Sequence, residues 1–543
     1  MQTEGLQHFT NRPIDLREQA SALKSYLFKK LPEYMVPSHI LFLDHFPLSP
    51  NGKIAKKLLP LPTVKSVSPP PSTACQPLEQ EIIKTWSEVL GLSSIGKTDH
   101  FFDLGGHSLS AAQAVLKLSD RLGKEIPLRL LFQFPTVEEF ASSIESQQNI
   151  NQKSVTWAKM LQDSFLHASI TAKEPSLQNP TNIFLTGATG FLGVYLLRDL
   201  LFHTSDTVHC LVRAQNALEG LMRLRKNLAY YRLTDEIDFD RIIVVPGDLD
   251  QPHFGLSEEQ YQFYAQNMGS IYHCAAQVNF ADSYNALRAS NVLGTVEILR
   301  LAVAGHTKPV HYISTLHVLT REDQGSSSAL TESEYPRHGE ALEMGYLQSK
   351  WVAEKLMLAA KERNISVNIY RVGRVGGDTQ SGACQQNDFY WGLVRACIKM
   401  GKIPGSDFAE QIIPVDIASR AITRLSIDPS EKNQTFHILN PDPLQSETLI
   451  VCAREKGYHL SSCTMDKWKQ IIFEHLKKNP NDPAAALAGF LSNRWGEQEP
   501  TFSARLTLQK MKKSGVVIPD TPTDWIQKTI EFFMDNYFLP RHI

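Results

Sequence analysis

Cysteine is scarce in this 543-residue chain: the seven present are scattered, with no C-x-x-C pair and no Cys/His cluster at ligand spacing. That pattern argues against a disulfide framework and a structural zinc site. An excess of charge of one sign is also missing. The 55 Lys and Arg against 57 Asp and Glu leave a formal net charge of −2, which gives no electrostatic case for nucleic acid or an anionic membrane. No apolar run can span a bilayer, since the most apolar window, residues 183–202, is broken by Gly187, Gly190, Gly193, Arg198 and Asp199. The opening Met-Gln-Thr-Glu-Gly has neither the basic start nor the apolar stretch of a signal peptide, so a cytoplasmic location is expected. What is there, 42% hydrophobic and 21% charged residues, is ordinary soluble globular composition. The length exceeds one hydrophobic core and predicts three or four domains.

Polar, proline-bearing stretches divide the chain. Residues 64–76 contain Ser-Pro-Pro-Pro-Ser and read as a stiff extended spacer. Residues 147–153 are Gln/Asn-rich, and 173–182 are again polar with two prolines. The parts so defined are 1–63, 76–146 and 178–543. Residues 155–172 carry helical apolar spacing (Trp157, Met160, Leu161, Phe165) and are expected to pack on the third part. The middle part predicts a small all-α bundle, with apolar faces over 78–90 and 108–122 and an acid-led helix start at Pro135-Thr136. The third part alternates apolar strands (182–185, 207–212, 241–245, 270–273, 310–314 and 368–371) with helical patterns. It predicts an α/β fold, a Rossmann-type parallel sheet with crossover helices.

Three constellations carry chemistry. In Asp99-His-Phe-Phe-Asp-Leu-Gly-Gly-His-Ser-Leu109, Ser108 follows two glycines at the mouth of an amphipathic helix, an exposed hydroxyl placed for modification. Gly187, Gly190 and Gly193 follow a strand and open an apolar helix, which predicts a pyrophosphate bed formed by Gly187, Thr189, Gly190, Phe191, Leu192 and Gly193. The second strand ends in Arg213 rather than an acid, a choice that suits a 2′-phosphate and predicts NADPH. Arg223 is a second phosphate partner or a solvated helix arginine. Asp248, with Leu249 beside it, sits near the adenine or caps a helix. Finally, Tyr346 and Lys350 stand at i and i+4 on one helix face, where the ammonium is expected to lower the phenol pKa. Ser314-Thr315, at the carboxyl edge of the sheet, offers a hydroxyl. Thr315 is the first choice and Ser314 the fallback.

The glycine turn with Tyr346 and Lys350 resembles the extended short-chain dehydrogenase/reductase family. By that resemblance Thr315 orients a carbonyl oxygen, Tyr346 is the acid, and Lys350 binds the nicotinamide ribose. Asn291 matches a family asparagine or is a capping or core amide. Val-Arg-Ala (212–214), Pro-Gly-Asp-Leu (246–249), His273-Cys-Ala-Ala276, Arg371-Val-Gly-Arg374 and Ile413-Pro-Val-Asp416 narrow the likeness to thioester reductase domains, over residues 180–440. Such domains terminate non-ribosomal peptide synthetases and α-aminoadipate and carboxylic acid reductases. Val372 stands where that group usually has proline, and residues 525–538 look like a closing helix of a substrate-covering subdomain.

The middle part resembles a carrier domain, Asp103-Leu-Gly-Gly-His-Ser108 matching the attachment motif, so Ser108 is expected to hold a 4′-phosphopantetheine arm, with His107 orienting the loop. Residues 1–63 resemble the end of an adenylation domain, a short α+β remnant: Leu31-Pro-Glu-Tyr-Met-Val-Pro37 and Leu48-Ser-Pro-Asn-Gly-Lys53 match it. Nothing before it could bind ATP, so Lys53 is expected to be an orphan. The resemblance thus implies NADPH-dependent release of a tethered acyl or aminoacyl thioester as an aldehyde, or further to an alcohol. A phosphopantetheinyl transferase and an upstream adenylation or synthetase module are the implied partners, without metal, nucleic acid or membrane. The alternatives are a redox-inactive cyclising domain or a decayed remnant that serves only as carrier. Tyr346 speaks against the cyclising version.

Overall fold

The computed structural model describes residues 76–539, apart from 93, 103, 107, 123–125, 127–129, 132–133, 146–147, 174–179, 280–281, 321–327, 387, 406–408, 479–499 and 520–521. The expected adenylation remnant with Lys53, the proline spacer, and His107 lie outside the described residues. The chain divides into two compact units, Met1–Ser146 and Gln147–Ile543.

In the first unit α1 (Pro77–Leu90), α2 (Ser108–Leu122) and α3 (Val137–Glu145) close on one apolar centre. α1 begins with a Gln76–Glu79 capping box and a proline in its first turn, and ends at left-handed Gly91. Ile82 and Trp86 are fully buried among Phe101, Leu118, Val137 and Phe140, with the Trp86 and Phe101 rings edge-on at 4.9 Å. The loop ahead of α2 is tied to that centre by its backbone. Phe101 N donates to Pro135 O at 2.7 Å, and Gly106 N donates to Phe101 O at 3.0 Å. The helix then starts at Ser108.

The second unit is built on a seven-stranded parallel sheet of order β10-β6-β5-β4-β1-β2-β3. Its strands are β1 (Asn182–Thr186), β2 (Thr207–Val212), β3 (Ile242–Pro246), β4 (Met268–His273), β5 (Val310–Thr315), β6 (Val367–Val372) and β10 (Thr435–Ile438). The first six match the expected series within a few residues. β10 has no counterpart in that series: it is four residues long and returns to the sheet only after an excursion. That excursion carries two small sheets, β7 (Arg374–Gly376) with β9 (Ile412–Pro414), and β8 (Lys402–Pro404) with β11 (Ser461–Cys463). The strand order reverses between β1 and β4, which puts the ligand crevice at their carboxyl ends.

Crossover helices α5 (Phe191–His203), α6 (Ala217–Tyr230), α7 (Glu258–Asn267), α8 (Tyr284–Arg288), α9 (Gly294–Val303) and α10 (Gly345–Glu362) cover the sheet. α5 is buried from Gly193 through Leu201 because α12 (Val415–Ile427) lies over its outer side, where Ser419 donates to Asp199 at 2.6 Å. α11 (Phe389–Met400), α13 (Ser446–Glu455), α14 (Met465–Lys478), α15 (Arg505–Lys513) and α16 (Pro522–Asp535) complete the unit. α16, expected as a closing helix, sets Trp525 against Gly376 of β7.

The segment expected to pack on the sheet unit does so through α4 (Gln148–Asp163), with Trp157 against Trp351 at 5.4 Å and Met160 buried. Its apolar face differs from the expected one. Leu161 sits on the outer side of the helix and is exposed; the helix stops at Asp163, so Phe165 is exposed too, and Leu166 and Ile170 enter the core instead. Asp163 locks this helix to α8: Arg288 donates to both carboxylate oxygens at 2.6 Å and the Tyr284 hydroxyl donates at 2.7 Å. Asp163→Ala should therefore cost about 2–4 kcal/mol, since it strands a part-buried guanidinium. Urea unfolding of the 147–543 unit within the full chain would measure it.

Candidate active site

β1 delivers the chain into the glycine turn. Gly187 has φ +80°, and a Cβ there would lie 2.6 Å from the Ala275 amide nitrogen, in the loop that leaves β4. Gly193 backs onto the turn, where a Cβ would lie 1.9 Å from the Gly187 carbonyl oxygen. Thr186 ties the two strands together. Its hydroxyl meets His273 Nδ1 at 2.8 Å and accepts from Ala275 N at 3.2 Å, while His273 Nε2 meets the Thr295 hydroxyl at 3.1 Å. Burial, with the Lys350 ammonium adding to it, pushes His273 down to about 3, so the imidazole is neutral. Gly190 precedes α5 and no side chain caps the helix. A side-chain-free cradle at an uncapped helix N-terminus fits a dinucleotide pyrophosphate. Phe191 and Leu192 are half-buried, and the Thr189 carbonyl accepts from Asn227 Nδ2 at 2.8 Å.

Arg213 directly follows β2, with its side chain 61% exposed. Asp248, expected near an adenine or as a cap, pairs with it, Arg213 Nε to Oδ2 at 2.9 Å and Nη2 to Oδ1 at 3.1 Å; Asp250 stands 3.9 Å away. Arg223 reaches back from α6 to donate to the Arg213 carbonyl at 2.9 Å, so it belongs to this cluster. Leu249 is half-buried beside Gly294 at the start of α9.

The candidate catalytic residues gather where α10 crosses the carboxyl end of β5. Lys350 is buried, donates to the Ile313 carbonyl at 2.5 Å and lies 4.2 Å from the Tyr312 ring centroid. Burial lowers its pKa to about 8 against the pull of Cys274 and Glu354. Tyr346, one turn earlier, departs from expectation. Burial, with the Cys274 thiol adding to it, pushes the phenol up to about 12, so desolvation outweighs any help from the neighbouring ammonium. The phenol therefore keeps its proton at neutral pH. The Ser-Thr doublet separates by strand alternation. Ser314 is buried and donates to Glu354; Thr315 is half-buried and caps the short turn Leu316–Val318, accepting from His317 N at 3.5 Å. Asn291 lies in a π-helical turn, Ala289–Leu293, accepts from Gln277 N at 2.8 Å and donates to the Ser349 hydroxyl at 2.9 Å. It thereby fastens α10 to the loop after β4. Among the described residues no group of His, Cys, Asp and Glu could hold a metal ion.

Two family models match: "Phosphopantetheine attachment site" over residues 80–144 and "Male sterility protein", an NAD-binding family, over residues 185–422. The chain is 39% identical to a linear gramicidin synthase polypeptide of Brevibacillus parabrevis, over 96% of its own length and 10% of that protein. It is 30% identical to L-2-aminoadipate reductase of Saccharomyces cerevisiae, over 83% of its length and 36% of that enzyme. The chain thus spans well under half the length of these relatives. Among solved structures, the terminal R domain of the myxalamid biosynthetic pathway is 36% identical, with TM-score 0.67, over 72% of this chain and all of that one. The chain belongs to the terminal reductase family of non-ribosomal peptide synthetases. A thiolation-reductase di-domain from an archaeal synthetase, 21% identical with TM-score 0.69, covers 88% of the chain and shares its fold.

The chain brings together Tyr346, Lys350 and the β4 loop beside the glycine turn, while Arg213, Arg223 and Asp248 gather at the other side of the crevice. Sequence alone assigns no role to Cys274, which acts electrostatically on both Tyr346 and Lys350, or to Glu354. The only signal for Cys274 is its place in the His273-Cys-Ala-Ala276 motif. Because Lys350 loses its proton near pH 8 and Tyr346 only near 12, turnover should fall as pH rises through about 8. A kcat profile from pH 6 to 10 checks it.

Proposed function

We propose that this chain releases an acyl or aminoacyl group, held as a thioester on a 4′-phosphopantetheine arm at Ser108, as an aldehyde by NADPH-dependent reduction. The observation that carries the reading is the buried Lys350 ammonium one helical turn from a protonated Tyr346, beside the loop that closes on Gly187. In this reading residues 76–146 are the carrier domain, 178–543 the reductase, and 1–63 a partial adenylation subdomain. A phosphopantetheinyl transferase and an upstream adenylation or synthetase module supply the arm and its cargo, in the cytoplasm. Among the described residues, no helix is long and apolar enough to cross a membrane.

Gly187, Thr189, Gly190, Phe191, Leu192 and Gly193 would hold the pyrophosphate, Arg213 and Arg223 the 2′-phosphate, Asp248 and Leu249 the adenosine side, and Lys350 the nicotinamide ribose. When bound, NADPH supplies the hydride. Thr315 and Tyr346 donate hydrogen bonds to the thioester oxygen and so stabilise the charge that develops there. Tyr346 gives that oxygen its proton, which converts the thioester to a hemithioacetal. The C–S bond then breaks, the hydroxyl proton passes to sulfur, and aldehyde and free thiol separate. Lys350 stays protonated throughout and orients the ribose.

Mixing NADPH with the protein whose phosphopantetheine arm has been loaded with an acyl group, or with the protein and an acyl-pantetheine surrogate, should lower the absorbance at 340 nm and give an aldehyde by mass spectrometry; no oxidation by folded protein refutes the reading. Tyr346→Phe should lower kcat by about 10²–10⁴-fold with NADP⁺ binding unchanged. Ser108→Ala should abolish the mass increment of the carrier peptide while the free surrogate is still reduced.

A further inference from the structure

Behind the reducing centre lies a buried polar cluster that the proposed chemistry does not use. Glu354 is wholly inaccessible on α10, one turn past Lys350. Arg371 of β6, itself buried, donates to Glu354 Oε1 through Nη2 at 2.7 Å and Nε at 2.9 Å. The other carboxylate oxygen accepts from Ser314, the residue before Thr315 on β5. Arg371 continues outward to the Glu334 carbonyl at 2.7 Å and to His437 Nε2 of β10 at 3.2 Å. One carboxylate therefore joins the helix of Tyr346 and Lys350 to the strand of Thr315 and to the next strand of the sheet. A buried ion pair is a costly way to join elements that apolar residues would join as well. Its cost points to a role beyond packing.

We propose that Glu354, fixed by Arg371, is a positioning residue of the reducing centre: through Ser314 it sets the register of Thr315 against α10, and its negative charge faces the Lys350 ammonium along the same helix. The inference rests on the reductase reading above. The groups that face Lys350 are Tyr346 and Glu354 from its own helix, Tyr312 and the Ile313 carbonyl from β5, and His273 and Cys274 from the end of β4. His273 is neutral, and the Tyr312 and Tyr346 phenols and the Cys274 thiol have raised pKa values. Glu354 is thus the one formal negative charge among them. Removing it should let Lys350 lose its proton at lower pH, since an opposite charge nearby favours the charged form.

The test is the pH dependence of kcat for acyl-pantetheine reduction in the full chain, with melting temperature measured alongside. Glu354→Gln combined with Arg371→Gln removes both charges and leaves neither partner unpaired. The alkaline limb of the double variant should move down by about one unit. A limb that stays in place in a variant that melts like the parent overturns the proposal. If the double variant does not fold, Glu354→Asp carries the test. That change keeps the charge but withdraws the carboxylate from Ser314, so kcat should fall about tenfold, with KM for NADPH and the limb unmoved. An unchanged kcat for Glu354→Asp overturns the proposal. Parent protein that turns over at no pH instead sinks the reductase reading, and this inference with it.

Discussion

An ammonium sealed from water costs several kcal/mol unless its surroundings offset the loss of hydration, and the arrangement around Lys350 answers that demand. The Ile313 carbonyl accepts its proton at 2.5 Å, the Tyr312 ring lies 4.2 Å from it, and Glu354 supplies a charge of opposite sign. Those partners come from β5 and α10, so charging the lysine and seating the helix on the strand are one event. Asn291 adds a second fastening through Ser349, from a π-helical turn whose extra residue lets the side chain reach the β4 loop. Tyr346, one turn earlier on the same helix, takes its position from this framework.

Much of the fold can be read from sequence because a parallel sheet is covered on both faces. β1, β2, β5 and β6 are almost continuously buried, and such strands appear as unbroken apolar runs between glycine turns and helices. β10 escapes because Thr-Phe-His-Ile is short and polar at alternate positions, and its pairing with β6 depends on a long return of the chain. Phe165 misleads for a local reason: helical spacing continues past Asp163, where the helix stops. In the site, the i, i+4 relation of Tyr346 and Lys350 is a property of the helix alone and is legible. The choice between Ser314 and Thr315 is not, because strand alternation says that they face opposite ways and tertiary packing decides which way is which. The sign of the Tyr346 shift is hidden for a related reason: spacing reveals the ammonium but not the burial that outweighs it.

The far side of the crevice is organised differently. Arg213 is mostly exposed and already holds Asp248, with Asp250 close by. A guanidinium in that state is aligned before any phosphate arrives, yet must share its charge with the carboxylates, and an exposed pair of this kind is worth little in itself. In the NADPH reading proposed above, discrimination between phosphorylated and unphosphorylated ribose would depend on how far a dianion outcompetes Asp248. That balance is sensitive to ionic strength in a way the buried lysine is not.

A phenol that surrenders its proton only near pH 12 has a kinetic consequence. In the reductive release proposed above, a proton handed over by such a group is replaced from water as soon as it is gone, because at neutral pH the protonated form is favoured by about five orders of magnitude. The centre would then return to its acid form after each delivery without a partner to recharge it.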